Sequence, residues 1–138
     1  MSGPDAADDL DYEDLMHRFR RAWAKADPEL LSHVLTDDFI WHTHLIDRDD
    51  PNATGRVLLG YDGMMQELRW RAEHWSDVRY DGLVERFAPR FVTQTFRISG
   101  VDRGEPFEVD AVDLYRVSDD GRIATKDTYW KYVDPVGR

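Results

Sequence analysis

The sequence predicts an α+β domain, with helices first and consecutive antiparallel strands last. Apolar residues recur at helical spacing along residues 12–35 and again along 62–75. The last third alternates at period two instead. It is clearest from Phe107 to Tyr132, where two alternating runs flank the turn Ser118-Asp119-Asp120-Gly121. That is the pattern of a hairpin of long strands.

Residues 1–10 read as a disordered lead-in, and 11–138 as one domain of ordinary size. Leu15, Phe19, Ala22, Trp23 and Ala26 make one apolar stripe on a first helix, Tyr12 to Lys25. Asp11 and Asp14 suit its start and Lys25 its end. Asp27-Pro28 reads as the cap and first residue of a short second helix through Leu30, Leu31, Val34 and Leu35. Thr36-Asp37-Asp38 breaks it. Phe39 to His44 alternates as a strand, and Leu45 to Leu59 reads as a long polar connection. A third helix from Asp62 to Trp75 carries Met64, Leu68, Ala72 and Trp75 on one side. Strands follow at Val78 to Phe87 and Phe91 to Ser99, separated by Ala88-Pro89. Gly100 to Pro106 then leads to the final hairpin.

Composition removes several functions. There are 18 Lys plus Arg against 28 Asp plus Glu, a net charge of −10. Nucleic acid and anionic membranes both require positive potential, so neither is an expected partner. With no cysteine in the chain, thiol catalysis, thiolate metal sites and disulfides are excluded. No apolar run approaches the roughly 20 residues of a membrane helix. The acidic N-terminus lacks a signal-peptide core, so the expected location is cytoplasmic.

Val109, Ala111, Asp113 and Tyr115 share one strand face. If that face is the buried one, Asp113 is a carboxylate among apolar neighbours. Such a group needs hydrogen bonds, a counter-ion or a cavity. His42 and His44 share the face opposite Trp41 and Thr43. As His-x-His they could ligate a metal with Asp47, Asp49 or Asp50 from the loop. The spacing is common by chance, so neither a metal nor a cofactor is assigned. His44 is instead a candidate base at the strand end.

The element order and four motifs resemble the nuclear transport factor 2-like superfamily, and within it the SnoaL-like polyketide cyclases and the ketosteroid isomerases. The first motif is Phe19 through Asp38, FRRAWAKADPELLSHVLTDD, and the second is Phe39-Ile40-Trp41-His42. The third is Leu59-Gly60-Tyr61-Asp62-Gly63-Met64. The fourth is Ala111-Val112-Asp113-Leu114-Tyr115-Arg116 with Asp120-Gly121-Arg122-Ile123 and Tyr129-Trp130. The resemblance implies a cone: three helices packed on a strongly curved, mostly antiparallel sheet. It also implies an interior lined by Phe19, Trp23, Trp41, Thr43, Met64, Leu68, Gln94, Phe96, Asp113, Tyr115, Lys126, Thr128 and Trp130.

Against the isomerase pattern, Phe19 stands in place of the tyrosine donor and Thr43 in place of the aspartate base. Asp113 matches the aspartate that serves as second oxyanion donor. Lys126 and Thr128 stand where SnoaL-like cyclases often carry His-x-Asp. The expected function is therefore binding of a small apolar organic molecule with a carbonyl or hydroxyl. Catalysis would be cofactor-free acid/base chemistry of the isomerase, cyclase or dehydratase kind. Asp113 would be acid or oxyanion donor, Lys126 or His44 base, and Gln94 an orienting group. Lys126 has two other readings, a snorkelling strand lysine and an ion-pair partner for Asp113. The alternative function is a non-catalytic ligand-binding or assembly module of the same shape. The aromatic outer face of the last strand predicts a homodimer through the sheet.

Overall fold

The computed structural model describes residues 9–44 and 55–133. Three helices, α1 (Tyr12–Lys25), α2 (Pro28–Val34) and α3 (Gly60–His74), join six strands. The strands are β1 (Leu35–His44), β2 (Arg56–Leu59), β3 (Trp75–Ala88), β4 (Phe91–Asp102), β5 (Glu105–Val117) and β6 (Ile123–Tyr132). They form one sheet in the order β2-β1-β6-β5-β4-β3. Every neighbouring pair is antiparallel except β1 and β6, which are parallel. The architecture is the expected helices on a curved, mostly antiparallel sheet.

Local chemistry sets the helix ends. Asp11 caps α1 by accepting from the Asp14 N–H at 3.0 Å, and Ala26 closes it in the left-handed conformation. Asp27 caps α2, with Pro28 in the first turn. The apolar stripe of α1 (Leu15, Met16, Phe19, Ala22) is buried together with Leu31, Val34, Phe39 and Trp41. Each helix thus gains its stability from the face it turns to the sheet.

Several boundaries differ from the sequence reading. The expected Gly100–Pro106 connection shrinks to Arg103 and Gly104, because β4 runs on to Asp102 and β5 already begins at Glu105. The polar triplet Thr36-Asp37-Asp38 does not separate α2 from a strand. It lies inside β1, where pairing to β6 shifts register between Leu35 and Ile40. Part of the expected 45–59 connection is the short strand β2, which pairs with β1 from Ile40↔Leu59 to Thr43↔Arg56. Its four residues are too few to show a period. Helix α3 begins at Gly60 rather than Asp62, and β3 begins at Trp75 rather than Val78. Ladder irregularities in β3 fall between Ser76 and Arg79 and between Asp81 and Val84. They contain Asp77 and Gly82, both at positive φ. Such bulges bend a long strand and raise its twist, which curls this edge around the helices. The expected lead-in through residue 8 and the loop carboxylates Asp47, Asp49 and Asp50 lie outside the described residues. Among the described residues no helix is long and apolar enough to cross a membrane.

Gly63 shows how closely α3 sits on the sheet: a Cβ there would lie 2.9 Å from the Leu58 carbonyl carbon. Helix propensity alone favours alanine over glycine by about 1 kcal/mol. Overpacking typically costs about 1–3 kcal/mol. Gly63→Ala is expected to lower the unfolding free energy by about 1–2 kcal/mol, measured by urea denaturation. A stabilised variant would show that α3 can lift off β2 freely.

Candidate active site

The inner face of the sheet and the helices line a cavity of about 510 Å³ that opens on one side to solvent. Its wall is strongly aromatic, with Phe19 and Trp23 from α1, Trp41 from β1, Trp75 from β3, and Phe96, Tyr115 and Trp130 from β4–β6. Half-exposed Tyr80 and Leu83 of β3 line its solvent side.

Alternation along β5 and β6 decides what reaches the interior. Val109, Ala111, Asp113, Tyr115 and Val117 are buried, and so are Lys126 and Thr128. Asp113 and Lys126 are each 3% exposed, and Lys126 Nζ lies 3.7 Å from Asp113 Oδ2. That distance is an ion-pair contact but long for a hydrogen bond. The expectation that Asp113 faces inward holds, and so does its pairing with Lys126.

A hydrogen-bond chain fixes the carboxylate. Trp41 Nε1 donates to Thr128 Oγ1 at 2.8 Å, and the Thr128 hydroxyl donates to Asp113 Oδ1 at 2.7 Å. On the other side the Gln94 amide donates to Glu85 at 2.7 Å. This turns the Gln94 carbonyl oxygen to accept from the Tyr115 hydroxyl, also at 2.7 Å. Tyr115 lies 3.3 Å from Asp113 Oδ2. Arg20 donates to the same Glu85 oxygen, Oε2, at 2.5 Å. Burial pushes the Tyr115 hydroxyl well above its usual range, with the Asp113 charge adding to the effect.

Lys126 ends in a cage of rings. Its Nζ lies 3.8 Å from the Trp23 ring centre, 4.4 Å from Trp41, 5.5 Å from Phe19 and 5.7 Å from Tyr115. Ring faces and Asp113 favour the ammonium, while loss of water disfavours it. Burial wins and brings the lysine down to about 8; Asp113 opposes the shift and Arg71 adds to it. The snorkelling reading does not fit a side chain buried to its tip.

Two charged residues escaped the sequence reading. Arg71 of α3 is buried, and its Cζ stands 4.6–5.5 Å from the ring centres of Trp23, Trp41, Trp75 and Trp130. Its Nε donates to Glu67 at 2.8 Å, and Glu67 also accepts from Arg56 at 2.6 Å. The signal was available: Glu67 and Arg71 are four apart and share a face with Met64 and Leu68. The indole Nε1 of Trp75, another cavity residue, is buried with no hydrogen-bond partner among the described residues.

Of the expected interior residues, Phe19, Trp23, Trp41, Leu68, Gln94, Phe96, Asp113, Tyr115, Lys126, Thr128 and Trp130 all line the cavity. Met64 is buried in the core behind it. Thr43 is buried too, but its hydroxyl accepts from the Arg56 N–H at 3.0 Å and so ties β1 to β2. His44 does not reach the interior. It lies on the outer face with His42, and its Nε2 meets Asp127 at 2.7 Å. The strand does not kink at its end, so alternation keeps His44 opposite Thr43.

A helix-covered, curved sheet with an aromatic cavity on its inner face is the nuclear transport factor 2-like fold, of the ketosteroid isomerase-like kind. Residues 16–126 match the SnoaL-like domain, and the chain belongs to that family. No curated protein matches it in sequence. Among solved structures it is similar to a nuclear transport factor 2-like protein from Burkholderia xenovorans LB400, at 16% identity and a TM-score of 0.74. That match covers 86% of this chain and 87% of the other. A protein of ketosteroid isomerase-like fold from Catenulispora acidiphila, solved with trimethylamine, matches at 19% identity and a TM-score of 0.65, covering 83% of each chain. IdmH, a proposed polyketide cyclase from Streptomyces antibioticus, matches at 20% identity and a TM-score of 0.64, covering 86% of this chain and 91% of the other. At these identities the likeness establishes the fold.

The depressed lysine has a thermodynamic signature. Well below pH 8 Lys126 is protonated in both the folded and unfolded states. Between about 8 and its ordinary 10.5, only the unfolded chain holds the proton. Stability therefore rises with pH across that window. Relative to Lys126→Met, the wild type is expected to gain roughly 2–3 kcal/mol between pH 8 and 10. Urea unfolding at a series of pH values checks this, and parallel curves for the two proteins would contradict it. Glu67→Gln leaves Arg71 as a buried charge without its counter-ion and is expected to cost about 3 kcal/mol by the same measurement.

Proposed function

We propose that the cavity binds a small, largely apolar carbonyl or hydroxyl compound. On this reading the protein acts on its ligand by acid/base chemistry without a cofactor, as an isomerase, cyclase or dehydratase. The observation that carries the proposal is the Lys126–Asp113 pair, enclosed with aromatic rings at the wall of the cavity. A volume of about 510 Å³ falls within the range of small-molecule sites. Apolar walls with a few convergent polar groups are their usual composition.

Lys126 is the proton-exchanging group. A lysine near 8 has a usable neutral fraction at physiological pH, which an ordinary surface lysine lacks. When its amine takes a proton from carbon beside a carbonyl, the new ammonium is met by Asp113 and the four rings. Asp113 is held for this by Thr128 and Trp41. The negative charge that develops on the substrate oxygen needs donors. Arg71 and the unpartnered Trp75 Nε1 supply them from the same cavity. Since Phe19 and Thr43 cannot replace the isomerases' tyrosine and aspartate, the chemistry shifts to the amine.

The second reading is a ligand carrier of the same shape, and the same two replacements favour it. The homodimer through the sheet belongs with these proposals. Ile40, Val57, Val112 and Tyr129 leave apolar surface exposed on the outer face.

Titrating the tryptophan fluorescence with a panel of apolar ketones and enones tests binding, and turnover of any binder tests catalysis. An active substrate is expected to give a kcat/KM that rises with pH through about 8. Lys126→Met is expected to lower kcat by roughly 100-fold or more, with Asp113→Asn intermediate. Binding without turnover selects the carrier. Unchanged turnover in both variants would remove the pair from the chemistry.

A further inference from the structure

The outer face of the sheet carries a second constellation, independent of the cavity. Parallel pairing sets His42 of β1 beside Asp127 of β6, and His44 beside Tyr129. Period two turns all four side chains to the outer face, away from Trp41, Thr43, Lys126 and Thr128. One imidazole nitrogen from each histidine and one Asp127 carboxylate oxygen lie within 4.8 Å of one another. His44 Nε2 is already 2.7 Å from Asp127 Oδ1, and the His42 and His44 ring centres are 3.8 Å apart. Tyr129 stacks on His44 at 4.3 Å with the planes 2° apart, which fixes the orientation of that ring.

We propose that His42, His44 and Asp127 form a binding site for a divalent transition metal of the zinc type. Two imidazoles and one carboxylate are a donor set that suits zinc and its neighbours, and calcium and magnesium much less. Three protein ligands leave a fourth position, facing outward from the sheet, for water or, in the proposed dimer through this face, for a group of the second copy. Bond lengths of about 2.0–2.2 Å place tetrahedral ligand atoms about 3.4 Å apart. The three side chains are all partly exposed, so torsional adjustment closes the remaining distance. The backbone that carries them is a rigid two-strand ladder, which holds the ligands together before metal arrives. A surface His–Asp ion pair alone requires neither the second histidine on the same face nor a ring stacked to orient the first.

The third ligand was beyond the sequence reading, which set the histidine pair aside because its spacing is common by chance. His-x-His pointed to the nearby loop carboxylates, whereas Asp127 is 83 residues from His44 and is delivered by the crossover pairing of β1 with β6.

The test uses the full chain without a polyhistidine tag, titrated with Zn2+ by calorimetry and with Co2+ by visible absorption. One ion per chain is expected, together with the intense visible bands of four-coordinate Co2+. Asp127→Asn should weaken Zn2+ binding by roughly 10-fold or more, and His42→Ala with His44→Ala should abolish it. His33→Ala, on the exposed side of α2, should leave it unchanged. Wild-type protein that binds no Zn2+, or that gives only the weak spectrum of six-coordinate Co2+, overturns the proposal. So does undiminished affinity in the double histidine variant. The wild-type Co2+ spectrum reads coordination directly, so the test survives a variant that fails to fold.

Discussion

The parallel pairing of β1 with β6 is the constraint on which both faces of this protein depend. Every other strand contact is antiparallel and joins strands that are adjacent in sequence or close to it. This one joins the strand after α2 to the last strand of the described chain. Its register, Trp41↔Lys126 and Thr43↔Thr128, sets the inner face. Trp41 can then donate to Thr128, Thr128 to Asp113, and the indole can wall the lysine cage. A slip of one residue would turn Lys126 outward and Asp127 inward, because side chains alternate with every step. The aromatic box would then lose its cation and gain an unpaired carboxylate.

That register holds two cations in a wall built mostly of rings. Lys126 and Arg71 are both buried, and Trp23 and Trp41 stack near both. Isolated charges there would be prohibitive. Each is instead given one carboxylate, Asp113 for the lysine and Glu67 for the arginine, and several ring faces. The two pairs differ in strength of contact. Arg71 donates a direct 2.8 Å hydrogen bond to a carboxylate that a second arginine also neutralises. Lys126 has only a 3.7 Å contact, and the neighbouring Arg71 charge works against its protonation. An arginine cannot shed its proton, so burial leaves Arg71 a fixed charge; a lysine can, so burial makes Lys126 a titrating group. The same enclosure thus yields one fixed positive site and one that exchanges protons.

Much of this was legible in the chain, for identifiable reasons. The amphipathic stripe of α1 and the alternation of β5 are long and regular, so they put Phe19 on one helix face and Asp113 and Tyr115 together on one strand face; that these faces, with Lys126 and Thr128, are the inner ones was implied by the family resemblance. β2 was not legible, because its four residues carry no period and one buried hydroxyl, that of Thr43, helps hold it. Arg71 was hidden by its charge: an arginine on a helix reads as solvated until the fold surrounds it with four indoles. His44 lies outside the cavity because the β1–β2 and β1–β6 ladders keep β1 regular to its end, so alternation holds it opposite Thr43.

The departures from the isomerase pattern are coupled rather than independent. A tyrosine at position 19 would bring a hydroxyl into the box where the Phe19 ring now packs edge-on against Tyr115 and faces the Lys126 ammonium. An aspartate at position 43 would place a second carboxylate near the β1–β2 junction, where the hydroxyl of Thr43 now accepts a backbone N–H. Once a lysine occupies the centre of the cavity, an apolar ring beside it serves better than a second donor. A wall of ring faces favours the charged amine without competing for its proton. The proposed chemistry thus moves from a carboxylate at one strand end to an amine at the middle of another. Asp113 accordingly stands as the counter-ion of a buried lysine rather than as a lone acid in an apolar pocket.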